Sequence, residues 1–204
     1  ELWDAFRHIW KSSRVKGGLL LLTFSQAMIA TISAVAPGYA RSVLGVEVTD
    51  TSLLMLAPAA LGMIAGALIL SRFGHLWNKR ALIVGGVFLA GLLLVGLGSV
   101  RGADDIFTFV NIVIVAMGLL FLLGAANAMI DVPSQTALQI HTPEELRGRI
   151  YGVLNTLVNS AAFLPVLFAG VIADVFSVPV VIILMGIMVF FTGFYIQDKA
   201  RSLS

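Results

Sequence analysis

The sequence contains no cysteine, which excludes disulfide bonds, thiolate metal sites and cysteine nucleophiles. Charge is also scarce, because 12% of the residues are Asp, Glu, Lys or Arg, against about 25% in ordinary soluble domains. Apolar residues make up 59% of the chain and give it a mean hydropathy of +1.00. The three histidines fall outside the apolar runs, so we expect no metal site and no cofactor. A soluble fold of this size could not bury so much apolar surface, which indicates a membrane protein.

The apolar residues fall into six runs, each long enough to cross a hydrocarbon core of about 30 Å. The runs lack the alternating polar and apolar pattern of a membrane β-strand, so helices are the spanning structure that remains. We therefore predict an all-α integral membrane protein, a six-helix bundle over residues 17–197. The spans are 17–39, 51–73, 81–100, 106–130, 148–173 and 178–197, after an amphipathic surface or linker segment at 1–16 and before a tail at 198–204.

The positive charges predict the orientation of these helices. If both termini lie in the cytoplasm, 11 of the 13 Lys and Arg residues are on the inner side, and Arg41 and Arg101 are on the outer side. We expect both termini to be cytoplasmic and the lipid bilayer to surround the bundle. The formal net charge of +2 gives no indication of a nucleic-acid partner.

The connections between the spans repeat in two groups of three: a short loop, a basic inner loop and a short loop. Small residues recur in the second span, where Pro58, Gly62 and Gly66 lie on one face and would allow close helix contact. Pro165 and Gly170 in the fifth span loosely repeat this pattern. The repeated loops and the repeated small residues are expected for a pair of inverted three-helix repeats within one six-helix unit.

Polar side chains are concentrated in the first and fourth spans. Thr23, Gln26 and Ser33 share one face of the first span, and Asn127 in the fourth span is surrounded by small residues. We interpret these four residues as the wall of a substrate pathway. The alternative is that they only join helices by hydrogen bonds worth about 0.6 kcal/mol each.

A second polar row lies in the fifth span, where Tyr151, Asn155 and Asn159 are four residues apart. An asparagine exposed to hydrocarbon is costly unless it is paired, so this row should meet another helix or a solute. We favour a helix contact as its role.

Acidic residues are missing from the middle of the predicted spans, since Asp131 and Asp174 are expected at span ends. A proton-coupled carrier normally needs such a group inside the membrane, so that group would have to lie elsewhere. The spans also contain no catalytic pair, and we expect no enzymatic activity.

Two loops carry a resemblance to a known family. Arg72, Gly74, Lys79 and Arg80 resemble the cytoplasmic loop motif of major facilitator transporters, although Ser71 replaces the aspartate of that motif. The segment from Pro133 to Gly152, with Arg147, Gly148 and Arg149, resembles the loop between the tenth and eleventh helices of macrolide and siderophore exporters.

The resemblance implies the C-terminal half of a twelve-helix transporter, with an N-terminal six-helix half as partner, either in the same polypeptide or as a separate chain. The first and fourth helices would line the central cavity, the second and fifth would form the interface between the halves, and the third and sixth would face lipid. Tyr151, Asn155 and Asn159 would then lie at the interface. The implied function is secondary transport by alternating access, with efflux of amphipathic small molecules across a bacterial inner membrane. The alternative is a non-transporting membrane scaffold, which the missing intramembrane charge and Ser71 would suit.

Overall fold

The computed structural model describes residues 12–44, 55–74, 77–100 and 109–201, which form six α-helices. The helices are α1 Ser13–Tyr39, α2 Ala57–Phe73, α3 Lys79–Ser99, α4 Phe109–Ile140, α5 Glu144–Val175 and α6 Val178–Arg201. This architecture confirms the predicted all-α membrane bundle. Residues 1–11 of the predicted surface segment and residues 202–204 of the predicted tail lie outside the described residues.

Five of these helices are long and apolar enough to cross a membrane, and α2, with 17 residues, is shorter. Helix α1 begins inside the predicted surface segment, where the Ser12 hydroxyl accepts a hydrogen bond from the Val15 N–H at 3.4 Å. It continues past Tyr39 into a π-helical turn, Ala40–Leu44. Helix α6 likewise extends beyond the predicted span end at Gln197 to Arg201.

The largest difference from the predicted boundaries lies between α4 and α5. The sequence predicts a long connection over Asp131–Arg147, but α4 continues to Ile140 and α5 begins at Glu144. Polar residues after position 130 indicated the end of a span, whereas in the fold they contact α1 and α5 and the helix continues through them. A short turn at 141–143 replaces the predicted loop.

The helices form two layers. Helix α4 contacts α1, α2 and α3, α1 also contacts α5, and α3 packs most extensively against α6. The front layer therefore has the order α2, α4, α1, α5, and α3 and α6 lie behind it. Exchanging the first three helices with the last three converts the α2–α4 contact into the α5–α1 contact, as expected for inverted repeats.

Glycines bring α2 and α4 into direct backbone contact. A Cβ atom on Gly62 would collide with the carbonyl oxygen of Phe121, and one on Gly124 would collide with the carbonyl oxygen of Ala59. The buried residues of α2 are Pro58, Gly62, Gly66 and Leu70. The predicted small-residue face of the second span is thus confirmed as its packing face.

The back layer is built in the same way. A Cβ atom on Gly91 of α3 would lie 2.7 Å from the Phe190 nitrogen, and one on Gly186 of α6 would lie 2.7 Å from the Val95 nitrogen. The Phe88 ring packs edge-on against Phe190 with centroids 5.0 Å apart. Helices α4 and α6 pack against α3, so half of its apolar stretch is buried and half is exposed.

The C-terminal end of α1 is attached to α3 by a buried hydrogen bond. The Tyr39 hydroxyl donates to the Leu97 carbonyl oxygen at 2.7 Å. Leu97 lies in the last turn of α3, where carbonyl groups generally lack a partner within their own helix, and the phenol supplies a donor to this carbonyl.

Replacing Tyr39 by phenylalanine should lower the free energy of unfolding by about 1 to 2 kcal/mol, because the buried Leu97 carbonyl loses its donor. Chemical or thermal unfolding of the purified protein in detergent would measure this loss. Thr192→Val is the matched control, since Thr192 donates to the Met188 carbonyl of its own helix. Equal stability of the two variants would contradict the anchoring role of Tyr39.

Candidate functional site

Four polar side chains meet between α1 and α4, and we call them the α1–α4 polar cluster: Ser25, Gln26, Asn127 and Asp131. The Ser25 Oγ lies 2.6 Å from Asp131 Oδ1 and 2.9 Å from Asn127 Oδ1. Gln26 Nε2 donates to the other carboxylate oxygen, Asp131 Oδ2, at 3.0 Å. Asn127 and Asp131 are one helical turn apart, so a single face of α4 presents both to α1.

Asp131 is the central residue of this cluster and is 5% exposed. The expectation that it ends a span was wrong, because α4 continues from Asp131 to Ile140. Among the residues that the structure describes, its carboxyl group has hydrogen bonds with Ser25 and Gln26 and no ion pair. A carboxyl group inside a membrane helix is costly, and such groups usually have a function.

A cavity of about 270 Å³ lies beside the cluster, between α1, α2 and α4. Its walls are mainly apolar, with Met28 and Ile32 on α1, Met55 just before α2, Met63 on α2, and Leu123 on α4. Ser33 and Asn127 are its polar lining residues. Methionine and branched aliphatic side chains adapt to apolar molecules of different shapes, and the two polar groups can orient them.

The four residues predicted to line a pathway have different positions. Ser33 and Asn127 both line the cavity. Gln26 belongs to the polar cluster and is not part of the cavity wall. Thr23 is 8% exposed, and its Oγ1 atom has no hydrogen-bond partner among the described residues.

Sequence reasoning missed Ser25 and Asp131. The available signal was the spacing, since Asp131 follows Asn127 by one turn and Ser25 precedes the predicted Gln26. Asp131 was read as a span end because it begins a polar stretch. The contact itself joins residues that are 106 positions apart, which no local pattern reveals.

A family model of the Major Facilitator Superfamily matches residues 18–201. The chain belongs to this superfamily. Its members are membrane transporters rather than enzymes, so the bundle is that of an integral membrane transport protein. No curated protein and no solved structure matches the chain.

The outward face of α5 in this superfamily bundle carries Asn155 and Asn159, which are both exposed. Asn159 Nδ2 donates to the Asn155 carbonyl oxygen at 2.9 Å, within the helix. Tyr151 is oriented differently, because its hydroxyl donates to Gln135 Oε1 of α4 at 2.9 Å and accepts from Gln139 Nε2 at 3.4 Å. Tyr151 therefore joins two helices of this bundle, and the two asparagines remain on its surface.

The first superfamily-like loop motif lies at the end of α2 and the start of α3. Gly74 ends α2, and its N–H bonds to the Leu70 carbonyl. Arg72 and Lys79 are exposed. Arg80 Nη2 donates to the Gln197 carbonyl oxygen at 2.8 Å and so connects α3 to α6.

The second loop motif lies at the same end of the bundle. Arg147 forms an ion pair with Glu144 at 3.4 Å, and its Nη2 donates to the Gln139 carbonyl oxygen at 3.4 Å. Gly148 is exposed, and Arg149 is partly buried. The cations of both motifs thus cluster at one end of the helices, where α2, α4 and α6 end and α3 and α5 begin.

Proposed function

We propose that the chain is the C-terminal half of a secondary transporter of the macrolide and siderophore exporter type, which moves amphipathic small molecules outward by alternating access. The observation that carries this proposal is the cavity between α1, α2 and α4. Its apolar wall suits the apolar part of such a molecule, and Ser33 and Asn127 supply hydrogen-bonding groups. A pathway along α1 and α4 is the arrangement that the family resemblance implies.

The buried carboxyl group of Asp131 favours transport over a scaffold role. A purely structural contact between α1 and α4 would be at least as stable with apolar side chains, because burying a charged group costs free energy. The scaffold alternative is suited by Ser71 and by an absence of charge inside the membrane. A position of Asp131 within the membrane-spanning part of α4 would weaken the second of these two arguments.

The exposed faces of α2 and α5 support a second six-helix unit as partner, in the same polypeptide or in another chain. Only 11% of the apolar stretch of α5 is buried inside the described bundle, against 39–50% for the other four long helices. Asn155 and Asn159 on this face would be costly in hydrocarbon, whereas a protein surface can satisfy their amides. Helix α2 lies at the opposite edge of the front layer, so the partner would cover both edges and close the cavity.

The cations at one end of the bundle support a cytoplasmic position for that end. Arg72, Lys79, Arg80, Arg147 and Arg149 would face the cytoplasm of a bacterial cell, and Arg41 would face outward. Both termini would then be cytoplasmic, and the protein would lie in the inner membrane.

Filling the cavity tests the proposed transport path. Ala60 of α2 lines the cavity and is exposed, so Ala60→Trp should block it without disturbing the α2–α4 contact. We expect the native polypeptide to lower the accumulation of at least one dye from a panel of neutral, cationic and anionic amphipathic dyes. Ala60→Trp should abolish this effect.

Ile64→Trp is the matched control, because Ile64 lies one turn further along α2, is 57% exposed and does not line the cavity. This variant should retain efflux. Unchanged efflux in Ala60→Trp would exclude the cavity as the path. No effect of the native protein on any dye would exclude the efflux of amphipathic molecules.

A further inference from the structure

The Ser25 hydroxyl group has one hydrogen atom, but its oxygen makes two contacts with acceptor oxygens. Its Oγ lies within hydrogen-bond distance of two oxygen acceptors, Asp131 Oδ1 at 2.6 Å and Asn127 Oδ1 at 2.9 Å. A hydroxyl group has one hydrogen and can donate to one of them. The second contact therefore needs a hydrogen from Asp131 or from the amide of Asn127.

One arrangement places a proton on Asp131. Its Oδ1–H then donates to Ser25 Oγ, and the Ser25 hydroxyl donates to Asn127 Oδ1. Gln26 Nε2 continues to donate to Asp131 Oδ2, which needs no proton. Each of the three contacts with Asp131 and Asn127 then has one hydrogen atom. The NH₂ group of Asn127 is left without a partner.

The other arrangement leaves Asp131 ionised. When the proton departs from Oδ1, the Ser25 hydroxyl turns and donates to Asp131. The Asn127 amide rotates by about 180° around its terminal torsion angle, for which the two orientations are nearly equivalent. Its Nδ2 then donates to Ser25 Oγ. The side-chain oxygen of Asn127 is then left without a hydrogen-bond donor.

The amide atom without a partner is important because Asn127 lines the cavity, where a bound molecule can pair with it. Asn127 is 3% exposed, and its Nδ2 atom has no hydrogen-bond partner among the described residues. A buried amide group without a partner costs about 1 to 3 kcal/mol, which a bound molecule in the cavity would offset by pairing with it.

We infer that the protonation state of Asp131, passed on through Ser25, sets whether Asn127 offers the cavity a hydrogen-bond donor or an acceptor. This inference rests on the proposed function, in that it takes the cavity as a small-molecule site. With Asp131 protonated, the site selects molecules with an acceptor such as a carbonyl oxygen. With Asp131 ionised, the site selects molecules with a donor such as an N–H group. A transporter could in this way couple proton binding to the exchange of substrates.

The described side chains that bond to the Asp131 carboxyl group, Ser25 and Gln26, are both uncharged. The other titratable groups on the described elements that pack or bond against α4 are Lys16, Tyr39 and Arg41 on α1 and its π-turn, Arg72 on α2, Lys79 and Arg80 on α3, His141 in the turn after α4, and Glu144, Glu145, Arg147, Arg149 and Tyr151 on α5. Lys16, the cation on α1 toward the cytoplasmic end, lies nine residues before Ser25, which is about 14 Å of helix.

Two small aromatic probes separate the two states. Acetophenone has a carbonyl acceptor and no donor, whereas indole has an N–H donor and no good acceptor. Their dissociation constants would be measured by competition with the native protein in lipid nanodiscs, from acidic to alkaline buffer. We expect acetophenone to bind more tightly at acidic pH and indole at alkaline pH, each preference being roughly tenfold.

Three variants test whether the contacts between Asp131, Ser25 and Asn127 cause the preferred probe to change with pH. Asp131→Asn keeps a donor next to Ser25 at every pH, so it should prefer acetophenone throughout. Ser25→Ala breaks the connection, so its preference should not change with pH. Glu144→Gln removes an exposed carboxylate at the end of the bundle, and its preferred probe should change with pH as in the unmodified protein. The side-chain amide signal of Asn127 in ¹⁵N NMR should shift with pH in the unmodified protein and remain fixed in Asp131→Asn.

The outcomes separate this inference from the proposed function. Binding of both probes with the same preference at every pH, together with a pH-independent Asn127 signal, would overturn the inference and leave the cavity as a binding site. Binding of neither probe would overturn the cavity as a small-molecule site, and the inference with it.

Discussion

Replacing Gly62 by leucine should prevent the bundle from assembling. A side chain at this position meets the backbone carbonyl of Phe121, and a backbone atom inside a packed helix cannot move aside. Helix α2 would have to leave α4, which would also separate Gly66 from Ala125 and Ala128. Overpacking of a core costs about 1 to 3 kcal/mol when side chains can adjust, and here they cannot. The yield of monodisperse protein in detergent and its thermal midpoint would measure the loss.

Gly118→Leu is the control for this experiment. Gly118 lies on α4 itself, but a Cβ atom there would meet nothing within 4 Å. This variant should fold with nearly unchanged stability, because the position is exposed and a leucine side chain there displaces no neighbouring atom. Gly124→Leu should behave like Gly62→Leu, since Gly124 faces the Ala59 carbonyl in the same contact. If Gly62→Leu were as stable as the control, close α2–α4 packing would be excluded.

The glycine contact is the part of the packing that the sequence predicts well. Small residues four positions apart on a membrane helix have few roles other than close helix contact, so Gly62 and Gly66 indicate the packing face without further information. The partner of that face could not be predicted. Gly124 is one of the small residues around Asn127, and it also completes the contact with α2.

Helix ends were predicted less well where polar residues continue a helix. Hydropathy treats Asp131 as incompatible with a span, but a carboxyl group that is buried against α1 and hydrogen-bonded by Ser25 and Gln26 is not exposed to lipid. The helix can therefore continue to Ile140. Hydropathy describes the average environment of a residue, and the specific partners that change this environment come from another part of the chain.

The candidate site was predicted in part for the same reason. Ser33 and Asn127 could be identified because a polar side chain inside a membrane span is unusual and both line the cavity. Ser25 was not singled out, because a serine in a membrane helix can satisfy its hydroxyl within its own helix. Its role depends on Asp131, which joins it only in the folded bundle.

Replacing the polar side chains of the α1–α4 polar cluster by apolar ones should abolish transport while the protein still folds. Asp131→Ala alone should lower the free energy of unfolding by about 1 to 3 kcal/mol, because Gln26 loses its acceptor and Ser25 loses one of its two partners, Asn127 Oδ1 being the other. The triple variant Ser25→Ala, Gln26→Leu, Asp131→Leu removes the carboxyl group together with the two side chains that bond to it, and Asn127 is the polar residue of the cluster that remains. It should be more stable than Asp131→Ala, because apolar replacement of a buried polar network is often neutral or stabilising, whereas removing one partner leaves the others unpaired.

Transport by the triple variant should nevertheless fall below detection, since both the proton-binding group and its connection to Asn127 are gone. Unfolding in detergent and dye efflux, measured on the same variants of the native polypeptide, would test the two expectations together. Ser99→Ala is the control, because Ser99 donates to the Val95 carbonyl of its own helix, away from the cavity. A stable triple variant that still transports would mean that the cluster only joins α1 to α4. Loss of both stability and transport would show that the cluster is needed for folding, and a transport role would then require the conservative Asp131→Asn variant to lose efflux while it remains folded.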